Sequence, residues 1–215
     1  MNTYGFTFCD TDLTALPSGA LYWPSEQLLT VSDLHFGKSA RLSAVGGAQL
    51  PPYECRETLL RLEADLEVTG ATRVICLGDS FDSPEMMEAL PESERLWLMR
   101  LMAGRDWIWI EGNHDPGPAS LGGTHLAEVT LGPLTFRHIA TDASAEVSGH
   151  YHPKARIKHI SRPCFLYDDT RLILPAYGTY TGGLRIDNAV LSSLMNKTAR
   201  AILTGARAID IPMPR

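Results

Sequence analysis

The chain has 215 residues, of which 44% are hydrophobic and 20% charged, with a formal net charge of −6. These values support one sizeable core, read as a single domain over residues 1–215; they exclude a disordered protein and argue against a general nucleic-acid coat protein. Apolar runs such as residues 101–103 or 201–203 are far too short to span a membrane.

Residues 28–31 read as a buried strand. Cys55, Leu59, Leu62 and Leu66 then recur at helical spacing with charges between them, which predicts a helix. Residues 73–77 form a second buried strand. Ser83-Pro84 supplies an N-cap and a first helical position, and a further helix is expected around residues 92–103, with Leu96, Met99, Met102 and Ala103 on its apolar face. Residues 107–111 make a third strand, and the alternation points to an α/β core. After residue 125 the rhythm changes. Residues 126–131 and 134–137 flank Gly132-Pro133, residues 164–167 and 171–174 flank Asp168-Asp169, and residues 199–203 and 207–211 flank Thr204-Gly205. These predict strands joined by tight turns, with one more helix at 189–195.

Each predicted strand of the first half ends in a small polar cluster. Residues 28–31 run into Ser32-Asp33-Leu34-His35-Phe36-Gly37, residues 73–77 into Gly78-Asp79-Ser80-Phe81-Asp82, and residues 107–111 into Gly112-Asn113-His114-Asp115. Ligands bind at the carboxyl ends of strands in α/β sheets, so the three clusters should meet on one rim. The second half adds His138 at a strand end and Gly149-His150-Tyr151-His152 after residues 146–148. Asp33, Asp79, Asn113, His35, His138, His150 and His152 form a mixed nitrogen and oxygen set without thiolate, suited to Mn, Fe, Zn or similar divalent ions. Singly, each has an ordinary explanation: a histidine at a strand end is commonly a surface group, and Asp79 and Asn113 suit turns. Five of the seven histidines fall in these clusters, however, and the set in this order points to a metal site.

The set resembles the calcineurin-like metallophosphoesterase superfamily. Its five motifs are matched by Asp33-x-His35, Gly78-Asp79-x-x-Asp82, Gly112-Asn113-His114-Asp115, His138 and Gly149-His150-x-His152. Residues 33–39, 162–165 and 174–183 further resemble the ligase-associated DNA damage response endonuclease branch (PdeM), over about residues 22–188. Where that branch is expected to carry GDxFHS, this chain has Gly78-Asp79-Ser80-Phe81-Asp82-Ser83. The resemblance implies an α/β fold, a four-layer α/β/β/α sandwich of two mixed β-sheets flanked by helices. It implies two divalent metal ions, Mn first with Fe or Zn as alternatives. One would be held by Asp33, His35, Asp79 and His152, the other by Asp79, Asn113, His138 and His150, with Asp79 bridging. It also implies a phosphodiesterase or endonuclease of DNA repair in the bacterial cytosol. The two cations would neutralise phosphoryl oxygens and lower the pKa of a bridging water. His114 would assist the leaving group, and Asp115 would orient its imidazole or cap the next segment. Asp82 would accept from a metal-binding histidine or fold its loop.

The substrate implied is DNA, single-stranded or at ends, with a DNA ligase or helicase as partner and no membrane. Residues 1–149 carry 9 Lys and Arg against 21 Asp and Glu, whereas residues 150–215 carry 10 against 4. Positive charge therefore follows the last metal motif, where a polyanion would want it. Lys38, Arg41, Lys154, Arg156 and Lys158 are the candidate phosphate contacts. Phe36, Tyr177 and Tyr180 either stack on bases or pack in the core, and the glycines between 178 and 183 suggest close backbone approach near the site. Cys9, Cys55, Cys76 and Cys164 form no CxxC pair and read as reduced, mostly buried thiols of a cytoplasmic protein; no secretion segment is indicated. Two rival readings stand beside the nuclease. One is a small-molecule phosphoesterase for a (cyclic) nucleotide or sugar-nucleotide, which the acidic first half favours. The other is a catalytically silent scaffold, which the presence of all seven ligands and His114 disfavours.

Overall fold

The computed structural model describes residues 2–44, 46–47, 51, 53–117, 121–157 and 159–214. The first sheet runs in the order β1 (Tyr4–Phe8), β2 (Thr11–Ala15), β3 (Leu21–Trp23), β4 (Leu28–Val31), β5 (Arg73–Leu77), β6 (Asp106–Ile110) and β7 (Thr124–Leu126). Its first four strands pair antiparallel and its last four parallel. Helices α1 (Lys38–Ala44) and α2 (Glu54–Thr69) join β4 to β5, and α3 (Pro84–Glu88) and α4 (Glu92–Met102) join β5 to β6. The second sheet contains β8 (Glu128–Leu131), β9 (Leu134–Arg137), β10 (Glu146–Ser148), β12 (Ile160–Tyr167), β13 (Arg171–Ile173), β14 (Arg200–Leu203) and β15 (Ile209–Pro212), in the order β15-β14-β12-β13-β10-β9-β8. Strand β11 (Lys154–Ile157) pairs with β12, and α5 (Ala189–Leu194) precedes β14. Within this sheet β10 is parallel to both β9 and β13, so it too is mixed.

Side-chain alternation sets the layers. Ile75, Leu77, Ile108 and Ile110 meet Phe136, Val147, Phe165 and Ile202 of the second sheet in a core between the sheets. Val74, Cys76, Trp107 and Trp109 face the other way, onto Leu59, Leu62 and Leu66 of α2 and Leu98, Leu101 and Met102 of α4. The outer face of the second sheet packs Leu166, Ile173 and Leu203 against Leu191 of α5 and against Met195. The layers are thus α/β/β/α, as the resemblance implies. Strands β4, β5 and β6 are buried on both faces, which is why they read as near-continuous apolar runs. All four cysteines are free thiols, and burial pushes Cys55 and Cys164 up to about 12. Among the described residues no helix is long and apolar enough to cross a membrane.

Besides α1 and β11, which the sequence reading lacks, three features depart from it. Strands β1 to β3 lie before its first strand. The hairpin between β1 and β2 turns on Cys9-Asp10, both with positive φ (47° and 58°), a geometry usually announced by Asn-Gly or Asp-Gly. The single strand expected at 126–131 is two: β7 closes the first sheet and β8 opens the edge of the second, so the chain changes sheets at Ala127. Helix α4 buries Leu98, Leu101 and Met102 and leaves Leu96, Met99 and Ala103 exposed, so of the apolar face expected only Met102 is covered. The next layer, not the helix's own composition, selects the face. Leu98→Ala should therefore destabilise the fold by about 2–5 kcal/mol, and Leu96→Ala by no more than about 0.5 kcal/mol. Urea denaturation of the two variants checks this.

Candidate metal centre

Parallel pairing of β4, β5 and β6 puts their carboxyl ends side by side. Backbone bonds carry the alignment into the loops: Asp33 N donates to Gly78 O at 3.2 Å, His35 N to Asp79 O at 2.9 Å and Phe36 N to Ser80 O at 2.9 Å. From the second sheet, Gly149 N donates to His138 O at 3.0 Å, and His150 N donates to Asp33 Oδ2 at 3.0 Å across the seam. The loops are held in an unfavourable backbone form. Asp33, His35, Asp79, His150 and His152 all have φ between 47° and 67°, a region that costs non-glycine residues about 1–3 kcal/mol each and persists only where the surroundings over-determine it. Two glycines permit the closeness. A Cβ at Gly112 would lie 2.1 Å from Asp79 N, and one at Gly149 would lie 1.7 Å from Ser32 Oγ.

Two groups of ligating atoms result, Asp33 with His35 and His152, and Asp79 with His138 and His150, each with its atoms within 4.8 Å of one another. In the first group, His35 Nδ1 donates to Asp82 Oδ1 at 2.9 Å, which leaves Nε2 as the lone pair. That Nε2, Asp33 Oδ1 and His152 Nε2 are buried with no hydrogen-bond partner; the last two lie 3.0 Å apart but are not aligned for a bond. In the second group, His138 Nδ1 donates to Leu77 O at 2.7 Å, so its lone pair is also on Nε2. It faces Asn113 Oδ1 at 3.0 Å, His150 Nδ1 at 3.2 Å and Asp79 Oδ2 at 3.4 Å. Buried lone pairs that converge in this way are costly alone and are satisfied by a cation. The donor set, imidazole with carboxylate and amide oxygen, fits a divalent transition ion. The two histidine and aspartate groups could hold metal ions.

Charge around the groups follows from these contacts. Burial alone would raise Asp79, but the neighbouring His138 and the amide of His114 hold it at about 2. Asp33 is likewise lowered against its burial, by His152, His138 and Ser32. Burial would lower His138, yet Asp79 and Asp33 raise it; His150 is lowered by burial and by His138 beside it. Asp82 is held at about 2 against burial by His35, Arg41 and Lys38. Arg41 Nε is ion-paired with Asp82 Oδ2, and Lys38 Nζ stands 3.9 Å from Oδ1. Asp82 is thus the acceptor that fixes the His35 ring, the first of its two expected roles.

A solved nuclease shares this architecture. The crystal structure of Pseudomonas putida nuclease MPE matches with a TM-score of 0.79 and 27% identity, covering 98% of this chain and 100% of that one. No protein-family model and no curated protein matches the chain.

The remaining expected site residues sort as follows. His114 lies beside the first group, its ring 5.3 Å from that of His35, with its backbone N donating to Asp79 Oδ1 at 2.8 Å. Asp115 does not orient it, and that expectation is corrected. Its carboxylate accepts backbone N–H groups of Gly112, Asp79, Ser80 and Phe81 at 2.7–3.2 Å, while His114 Nδ1 donates to Asp82 O at 3.1 Å. Asp115 ties two loops together; burial and the nearby Asp79 push it up to about 6 even though the amides oppose this. Phe36 and Tyr177 are fully buried, so they pack rather than stack, and Tyr180 is exposed. Lys154 Nζ donates to Thr181 O at 3.0 Å, Arg156 is exposed on the same face of β11, and Lys158 lies outside the described residues. The Arg41 to Asp82 pair was missed by the sequence reading, since α1 itself shows no apolar periodicity. Asp82→Ala should lower affinity for Mn about 10- to 100-fold, the usual effect of removing the partner that orients a metal-binding histidine. Asp82→Asn, which keeps an acceptor oxygen, should lose less. Calorimetric titration with MnCl2 measures both.

Proposed function

We propose that the chain is a nuclease of the metallophosphoesterase superfamily, in its ligase-associated repair branch, cleaving phosphodiester bonds in single-stranded or terminal DNA in the cytoplasm. The observation that carries the reading is the convergence of two groups of carboxylate and imidazole atoms on one rim, the first of them with three buried atoms that have no hydrogen-bond partner. The full-length likeness to a solved nuclease supports it. Asp33, His35 and His152 would hold one cation and Asn113, His138 and His150 the other, with Asp79 common to both. Bound there, two divalent cations supply positive charge to the phosphoryl oxygens and acidity to water.

The chain's own groups do the rest. Asp82 and the Leu77 carbonyl fix the rings of His35 and His138 with their lone pairs inward. His114 carries its Nδ1 hydrogen toward the Asp82 carbonyl, so in the imidazolium form Nε2–H is the group that protonates the departing oxygen. Asp115 holds the Asp79 and Asn113 loops at a fixed separation. Lys154 and Arg156 line a groove of about 210 Å³, beginning two residues after His152, in which Arg185 is already paired with Asp187. We assign it to backbone phosphates of the substrate. Lys38 and Arg41 contribute less there, because Asp82 neutralises much of their charge.

Hydrolysis of bis(p-nitrophenyl) phosphate against p-nitrophenyl phosphate, with Mn and with chelator, tests the reading. Mn-dependent diester cleavage is expected, falling about 10²–10⁴-fold in His114→Ala. A preference for the monoester would replace it by the small-molecule phosphoesterase, and metal binding without turnover by the scaffold. Binding of single-stranded DNA should weaken with salt, and Arg156→Ala should reduce the slope of log affinity against log salt by about one.

A further inference from the structure

Residues 174–184 cross the rim twice. Leu174 N donates to Ser148 O at 2.7 Å, at the end of β10 in the second sheet. The chain then passes to the first sheet, where Tyr177 N donates to Ser32 O at 2.8 Å and Gly178 N to Asp33 O at 3.0 Å. It returns to the second, where Leu184 N donates to Tyr151 O at 3.2 Å and Lys154 N to Leu184 O at 2.8 Å. The segment therefore straps the backbone of Asp33 to the backbone around His152. These two ligands of one group come from different sheets. The approach is close at both ends: a Cβ at Gly178 would lie 2.1 Å from Leu34 O, and one at Gly183 would lie 2.1 Å from His152 O.

The strap is gripped from behind by one face of α2. Arg61 Nη1 donates to Tyr177 O at 2.7 Å and Nη2 to Thr179 Oγ1 at 3.1 Å, and its guanidinium lies 5.1 Å from the centre of the Tyr177 ring. Tyr177 is fully buried, and its hydroxyl donates to Asp65 Oδ2 at 2.8 Å. Thr179 N donates to Thr58 Oγ1 at 3.2 Å. Thr58, Arg61 and Asp65 are spaced three and four residues apart, so they present one stripe of the helix. None of these bonds reaches a ligand side chain. Their effect passes through the strap to the left-handed backbones of Asp33 and His152, which need such support.

We infer that Arg61 is a positioning residue for the Asp33, His35 and His152 group, acting through residues 174–184 to fix the distance between two ligands that no single sheet holds. This rests on the metal reading above. The second group is reached only through the His150 amide on Asp33 Oδ2, while Asp79 and His138 are placed by Asp115 and Leu77.

Calorimetric titration of the chain with MnCl2 tests the inference without recourse to turnover. The wild type is expected to take up two equivalents. Arg61→Met, which keeps the aliphatic stem but neither hydrogen bond, should bind one equivalent at least about tenfold more weakly and weaken the other clearly less. Arg61→Lys, with one donor in place of a fork, should fall between. Tyr177→Phe serves as the second probe should Arg61→Met fail to fold, and should show the same uneven loss. Two equivalents at unchanged affinity in a folded variant, or an equal loss at both, would overturn the role of Arg61. A wild-type chain that takes up no Mn would instead overturn the metal reading itself.

Discussion

The structure turns on one electrostatic constraint: buried acceptors on two sheets are brought within a few ångströms of one another, with their lone pairs facing inward. Left alone, such groups repel and lose their hydration. The surrounding fold answers this by removing every freedom the loops would use to relax. The β4 loop is bonded along the β5 loop, the β5 loop to the Asp115 carboxylate, and the His150 amide to Asp33. Five candidate ligands sit in left-handed backbone conformations that together cost several kcal/mol. Strain on that scale, gathered at the two candidate groups, is characteristic of a site held ready for a bound partner, which would supply the missing compensation.

Much of the architecture was legible because the chain writes it locally. Strands β4, β5 and β9 span the residues expected, since an apolar run bounded by glycine or a polar cluster leaves little choice of ends. The metal groups were legible for a related reason: each lies at the exit of such a strand, so finding the strands in order also orders the ligands. What escaped is held by partners far away in the chain. The Cys9-Asp10 turn has the geometry of a tight hairpin without its usual residues. The face of α4 depends on where the sheet lies beneath it. Asp115 adjoins His114 in sequence, and only the folded loops reveal that its carboxylate serves the amides of Asp79, Ser80 and Phe81 instead. Arg61 and Tyr177 stand 116 residues apart, beyond the reach of any periodicity.

The uneven charge of the chain is likewise only partly functional. Glu146 is completely buried and accepts the Thr141 backbone N–H with both oxygens. Arg137 and Arg171 stand 3.7 Å and 3.9 Å from it. Those two cations compensate a buried carboxylate beneath β9 and β10 and are not available to a polyanion. Of these two, only Arg171 belongs to residues 150–215, so the basic excess of that stretch overstates the charge that faces solvent by one cation.

Asp82 shows how one side chain sets the roles of its neighbours. Three residues after Asp79, it binds His35 on one oxygen and Arg41 on the other, with Lys38 nearby. A carboxylate there draws α1 onto the β5 loop and makes two cations part of the support for His35. An imidazole at this position would carry no fixed negative charge, would leave Arg41 and Lys38 unneutralised beside the rim, and would offer His35 Nδ1 a weaker acceptor. Asp82 therefore strengthens the lone pair His35 turns toward the site and weakens the positive field at this edge. Were a phosphate to approach this rim, Lys154 and Arg156 would be left to attract it, since Arg185 is paired with Asp187. One side chain thus decides which cations of the rim are structural.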